Sequence, residues 1–141
     1  VHRRQRRMWR GGRGARVGNT VILGRSRIGV SEAFVLGEKL SLDAQTVFDL
    51  SSTASGQCWS MTSYCPVPGP VPASPANRNY KPGFTAGMML KDLRLAQDAS
   101  KTARSPIPLG AQAAQLYALM EAAGEENIDF SGVIRLIRGE I

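Results

Sequence analysis

The first 27 residues contain no aspartate or glutamate, yet they hold nine arginines, Arg16, Arg25 and Arg27 among them. The rest of the chain has nine Lys and Arg against all eleven Asp and Glu, so the net charge of +7 belongs to an arm and not to a domain. That distribution argues against nucleic-acid binding by the chain as a whole. Histidine occurs once, at His2, and the two cysteines, Cys58 and Cys65, stand seven apart in a proline-rich stretch. This is not a CxxC pair and no second ligand type lies near it, so no metal is expected. Two reduced cysteines suit a reducing compartment. No apolar run approaches the ~18–20 residues of a membrane span. No apolar segment follows the arginines, as a signal peptide requires, and serine is too scarce there for a transit peptide. Strand-like alternation is also missing at any useful length.

What remains is helical patterning. Residues 1–14 (VHRRQRRMWRGGRG) have no apolar period and read as a disordered basic arm. Residues 15–40 read as a helix whose second half sets Val30, Ala33, Phe34, Gly37 and Leu40 on one side, with Arg25 and Arg27 interrupting the apolar face. Asp43 is placed to cap a second helix, with Leu42 stapled to Val47. Six of the eight prolines fall between Pro66 and Pro82, which excludes a helix or central strand there. Trp59, Tyr64 and Tyr80 argue that this long loop is ordered. A helix is expected over 84–103, with Met89, Leu93 and Ala96 on one face. Ser105-Pro106 marks the start of the next, with Leu109, Ala113, Leu116, Met120 and Ala123 as its stripe and Gly124 as its stop. Asp129 opens a last helix carrying Phe130, Val133, Ile134 and Ile137. The fold class expected is all-α, a bundle of about five helices with a long proline-rich loop.

Periodicity does not say what such a domain does. The segment SGQCWSMTSYCPVPGPVPASPANRNYKPGF, followed by MLKDLRLAQDA, resembles the 3-hydroxyisobutyrate dehydrogenase family. Members carry a similar SGxCWSxxxYxPVPG loop, then GF and a KDLxLAQ helix. IGVSEAFVLGEKLSLD upstream, and SPIPLGAQAAQLYALM and DFSGVIRLIRG downstream, are similar too. The resemblance covers roughly Gly12 to Gly139. It implies a helical C-terminal domain over 15–141, like that of 6-phosphogluconate dehydrogenase, and NAD as cofactor. It also implies oxidation of 3-hydroxyisobutyrate to methylmalonate semialdehyde in valine catabolism. The glycine-rich strand-turn-helix of a Rossmann domain is not found in this chain, since GGRG at 11–14 follows arginines and not an apolar strand. The chain is therefore expected to be inactive alone.

Site residues follow from the same resemblance. Trp59 and Tyr64 would close over the substrate, Phe84 would sit beside the nicotinamide, Lys91 would belong to the cofactor and substrate environment, and Asp92 would line the active site. The family's proton-transfer lysine aligns with Arg16 and its asparagine with Thr20, while Asn19 stands one position early. Arginine stays protonated at neutral pH and cannot take the alcohol proton as a tuned lysine can. Arg16 could still bind a carboxylate. The resemblance further implies a homo-oligomer formed through the helical domain, with no membrane partner, in the cytoplasm or, in a eukaryote, the mitochondrial matrix. Read without the family, Lys91 and Asp92 are solvated helix surface, Trp59 and Tyr64 are core anchors, Phe84 is a helix-start hydrophobe and Arg16 is one member of a charge run. Two other functions stand beside the dehydrogenase: a noncatalytic helical dimerisation module, and nucleic-acid binding through the arm.

Overall fold

The computed structural model describes residues 12–141. The disordered arm expected at 1–14 falls mostly on residues 1–11, outside the described residues. Helix α1 runs Gly12–Lys39, so Gly12–Gly14, expected in the arm, are helical. No apolar residue marks that extra turn, and helix extension from an existing nucleus needs none, since each added residue gains a hydrogen bond.

The buried side of α1 is Gly24, Arg27, Val30, Ser31, Phe34, Val35 and Gly37. It is rotated from the expected stripe: Ala33 and Leu40 are exposed, and Arg27 lies in the middle of the face instead of interrupting it. Helix α2 (Ala44–Ser51) folds back from a turn at Ser41, whose φ of 62° is left-handed. Asp43 takes the N-cap position with an extended backbone, but its side chain makes no cap bond. Instead α2 is seated by Val47 against Gly37, where a Cβ would come 2.9 Å from Val47 Cγ2, so the approach needs glycine.

The expected loop contains a further short helix, α3 (Trp59–Thr62), and a 3-10 turn at Pro75–Arg78. Its path is fixed by side chains that replace a backbone ladder. Tyr80 Oη donates to the Pro66 carbonyl at 2.6 Å, and Asn77 bridges Gly69 N (3.0 Å) and Val71 O (2.9 Å). Helix α4 (Ala86–Ala103) is capped by Thr85, whose hydroxyl accepts from Met88 N at 3.1 Å. Helix α5 (Pro108–Ala122) begins at Pro108, two residues after the Pro106 expected to open it. Both prolines suit a first turn, but Ile107 has the non-helical backbone that ends the loop. Gly110, Ala113, Ala114, Tyr117 and Met120 form its buried side, while Leu109 is half exposed and Ala123 caps the end. Asp129 opens a 3-10 turn, Phe130–Gly132, that leads into α6 (Val133–Ile137).

Among the described residues, six α-helices, two 3-10 turns and no strand make an all-α domain. The expected bundle of about five helices is present, and α3, too short for a periodic signal, adds a sixth within the loop. One core lies between α4, α5 and Phe130; a second joins α1, the proline loop and Ile134. Arg138 closes the C-terminal end onto α1 through two bonds to Glu38, at 2.7 and 3.0 Å. No described helix is long and apolar enough to cross a membrane.

Candidate active site

Asp129 organises the region where the proline loop, α4 and the C-terminal turn meet. Its carboxylate is wholly buried. Oδ1 accepts from Tyr64 Oη (2.7 Å), Gly83 N (3.0 Å) and Phe84 N (3.2 Å), and Oδ2 from Ser131 N (3.0 Å) and the Ser131 hydroxyl. Five donors around one carboxylate satisfy a buried anion without any lysine or arginine in direct contact. They also pin three chain segments, 64, 83–84 and 129–131, to one point.

On this support stand four rings. Trp59 stacks on Tyr64 at 4.9 Å between centroids, Tyr64 lies 5.4 Å from Phe130, and Phe84 meets Phe130 edge-on at 5.4 Å. Trp59 is half exposed, so the stack presents an apolar plate outward. Burial, and then the bond to Asp129, push the Tyr64 phenol above its ordinary range. With its proton donated to Asp129, Tyr64 is a fixed wall and not an acid or base for a reacting group.

Beneath the rings lies Arg27, with no solvent exposure. Its Nη2 donates to the Tyr64 carbonyl at 2.7 Å, and its guanidinium carbon lies 4.9 Å from the Phe130 centroid and 5.4 Å from that of Tyr64. Such cation–ring contacts recover part of the lost hydration. Nε and Nη1 have no acceptor among the described residues. Burial pushes the guanidinium below its ordinary value, against the opposing influence of Tyr117 and Asp129. Arg27 holds the Tyr64 backbone from below as Asp129 holds its hydroxyl from the side.

The structure thus brings Trp59, Tyr64 and Phe84 together, joined by Phe130 and Asp129. The other named residues make no hydrogen bond or ion pair to this cluster among the described residues. Arg16 is exposed and Thr20 half buried, on the part of α1 before its buried face begins at Gly24. Eleven residues of helix separate Arg16 from Arg27, roughly 16 Å along the axis. Lys91 is exposed and Asp92 half buried on α4. Sequence reasoning missed Arg27, Asp129 and Phe130 as site residues. Only Asp129 carried a signal, as an Asp two residues before a serine at a helix start, which suits local N–H capture. For a nicotinamide cofactor the fit is at one end: Phe84 offers a half-buried ring and Lys91 an exposed ammonium with no ion-pair partner among the described residues. A glycine-rich phosphate cradle between strand and helix has no counterpart among the described residues. Cys58 and Cys65 are unpaired, and no group of three metal-ligating side chains occurs among the described residues.

The sequence profile of a family described as NAD-binding of NADP-dependent 3-hydroxyisobutyrate dehydrogenase matches residues 11–137. A probable 3-hydroxyisobutyrate dehydrogenase of Mycobacterium tuberculosis is 49% identical over 127 residues, 90% of this chain and 43% of that one. The mitochondrial 3-hydroxyisobutyrate dehydrogenase of Bos taurus is 43% identical over 129 residues, 92% of this chain and 38% of that one. Among solved structures, Mycobacterium tuberculosis 3-hydroxyisobutyrate dehydrogenase with L-serine superposes with a TM-score of 0.86 at 49% identity, over 90% of this chain and 43% of that one. A Salmonella typhimurium 3-hydroxyisobutyrate dehydrogenase, 22% identical, gives a TM-score of 0.77 over 89% of this chain and 41% of that one, and shows the fold alone. The chain thus spans less than half the length of these relatives. With the CWS, Y and PVPG loop and the KDLRLAQDA helix both inside the matched span, the chain belongs to the 3-hydroxyisobutyrate dehydrogenase family, as its helical NAD-binding domain.

Proposed function

We propose that this chain is the helical half of an NAD-dependent oxidoreductase that converts 3-hydroxyisobutyrate to methylmalonate semialdehyde in valine catabolism. The observation that carries this reading is the outward-facing Trp59–Tyr64 stack, anchored on Asp129 in a member of this family. A small 3-hydroxy acid needs an apolar wall that excludes water on one side. The solved Mycobacterium tuberculosis relative carries L-serine, itself a 3-hydroxy acid, which supports the substrate class. A nicotinamide cofactor would supply the hydride acceptor. Phe84 would hold its ring, Lys91 would serve the anionic groups of cofactor and substrate, and Asp92 would line the active site. Arg16 and Thr20 stand on the early turns of α1, at the positions of the family's lysine and asparagine, and Arg16 binds a carboxylate instead of taking the alcohol proton. The basic stretch at 1–14 precedes the dehydrogenase domain at 15–141. The chain self-associates through its helices, in the cytoplasm or the mitochondrial matrix.

The test joins the glycine-rich cofactor domain of the Mycobacterium tuberculosis relative ahead of Gly12 and follows NADH formation from 3-hydroxyisobutyrate. The chain alone is expected to be silent. The fusion with Arg16→Lys is expected to turn over about 100-fold or more faster than the fusion with Arg16, the scale of one general base. A silent Arg16→Lys fusion that binds NAD would overturn the dehydrogenase reading. Equal rates with Arg16 and with lysine would overturn the role given to Arg16.

A further inference from the structure

Residues 128–130 are joined to the start of α4 and the turn before it by backbone alone. Asp129 N donates to the Tyr80 carbonyl (2.9 Å), Phe130 N to that of Phe84 (2.7 Å), and Ala86 N to that of Ile128 (2.9 Å). Thr85 and Asp129 pair as an antiparallel bridge. The Asp129 side chain is not needed for this joining, yet it is a wholly buried carboxylate, which is costly to desolvate. What it adds is a shared acceptor. Its Oδ1 takes the Tyr64 hydroxyl as well as Gly83 N and Phe84 N. The Tyr64 hydroxyl makes no other hydrogen bond among the described residues. Phe130, the next residue, sets its ring between those of Tyr64 and Phe84, 5.4 Å from each. Residues 129 and 130 thus fix the spacing of Tyr64 from Phe84 through a carboxylate oxygen and again through a ring. Little slack is left, because a Cβ at Gly83 would lie 3.0 Å from Tyr64 Oη.

We infer that Asp129 is a positioning residue for the dehydrogenase reaction. By holding the Tyr64 hydroxyl and the Gly83–Phe84 backbone on one oxygen, it sets the substrate wall at a fixed distance from the ring given to the nicotinamide. The inference rests on the dehydrogenase reading above and adds to it a residue that acts only through others. Hydride transfer between two bound partners depends steeply on their separation and alignment. An error of about 1 Å in the wall therefore costs rate before it costs affinity. The carboxylate cannot turn to follow Tyr64, because Oδ2 is tied separately to Ser131 N and the Ser131 hydroxyl. An asparagine in its place can keep its oxygen toward Tyr64 and turn its amide toward Ser131, whereas alanine keeps neither bond. Tyr64→Phe keeps the ring and removes only the tether.

Two measurements test this. In the full chain, nuclear magnetic resonance reads the Trp59 indole protons, told from those of Trp9 with Trp59→Phe. Stacking on Tyr64 at 4.9 Å shifts them upfield. They should keep that shift in Asp129→Asn and lose most of it in Tyr64→Phe and Asp129→Ala. In the Arg16→Lys fusion, kcat for 3-hydroxyisobutyrate is taken per NAD-binding site counted by calorimetry, so that unfolded protein does not register. Tyr64→Phe should lower kcat per site by about tenfold or more with a smaller change in KM, and Asp129→Asn should retain most of the rate. Asp129→Ala should fall at least as far, and adding Tyr64→Phe to it should cost little more, since hydroxyl and carboxylate act as one. Where Asp129→Ala fails to fold, Tyr64→Phe, which removes a single donor, decides by its indole shifts. Unchanged indole shifts in Tyr64→Phe, or an unchanged kcat per site in an active fusion, would overturn the positioning role. So would a loss confined to KM, which would leave Tyr64 a plain contact. A silent parent fusion would overturn the dehydrogenase reading, and this role with it.

Discussion

A guanidinium removed from water needs its N–H donors occupied or its charge compensated. Arg27 has one bond, two ring faces and two nitrogens with no acceptor among the described residues. Asp129, the nearby anion, is already satisfied by five donors and does not depend on Arg27. Methionine matches the length of the arginine stem and has no charge to desolvate. Arg27→Met is therefore expected to stabilise the fold by about 1–3 kcal/mol in urea unfolding, despite the lost bond to the Tyr64 carbonyl. A loss of stability would show that the ring contacts outweigh desolvation. Asp129→Ala should do the opposite and cost about 3 kcal/mol or more, because several buried donors lose their acceptor at once. This is also where the sequence was least legible. Nothing in the string marks Arg27 as buried, since charged residues at such positions are rare. Asp129 collects donors from Gly83 and Phe84, more than forty residues upstream, a convergence that local pattern does not contain.

Helices were legible where an apolar stripe repeated over several turns, as in α4 and α5, and their ends were legible only in part. Thr85 was not recognised as a cap, although it makes the one side-chain bond that opens α4. Thr85→Ala should lower stability by about 1 kcal/mol in urea unfolding, and Thr85→Ser should restore most of it. No loss in Thr85→Ala would mean that water replaces the cap. Ser105-Pro106 misled because a serine before proline is the stronger local start signal, whereas α5 opens at Ile107-Pro108 with no side-chain cap. The proline loop was rightly read as ordered from its aromatics. Its internal helix α3, which turns Trp59 out onto Tyr64, rests on contacts across the loop and not on a repeat.

At the scale of the whole molecule, burial holds Cys65, Tyr64, Tyr80 and Tyr117 above their ordinary values. Each resists deprotonation more when folded than when unfolded. Their contribution is thus complete at neutral pH and is lost as pH rises past the ordinary values, 9.0 for the thiol and 10.0 for the phenols. Burial holds the Arg27 guanidinium below its ordinary value, so it works in the opposite sense, toward greater stability as pH rises into the strongly alkaline range. Thermal midpoints should hold steady to about pH 8 and fall beyond about pH 9. Since these are the chain's three tyrosines, tyrosinate absorbance should appear only as helicity is lost. A tyrosinate signal near the ordinary value with helices intact would contradict the burial described. The family itself was legible from the loop and helix motifs.

The most direct test of the account is the Michaelis constant for 3-hydroxyisobutyrate of the Arg16→Lys fusion, measured with and without Trp59→Ala. If the Trp59–Tyr64 stack is the substrate wall, KM should rise about tenfold or more, as for a large apolar contact removed from a small pocket, with the helical spectrum intact. An unchanged KM and kcat in a folded Trp59→Ala variant would place the substrate elsewhere and contradict the assignment of this cluster as the active site.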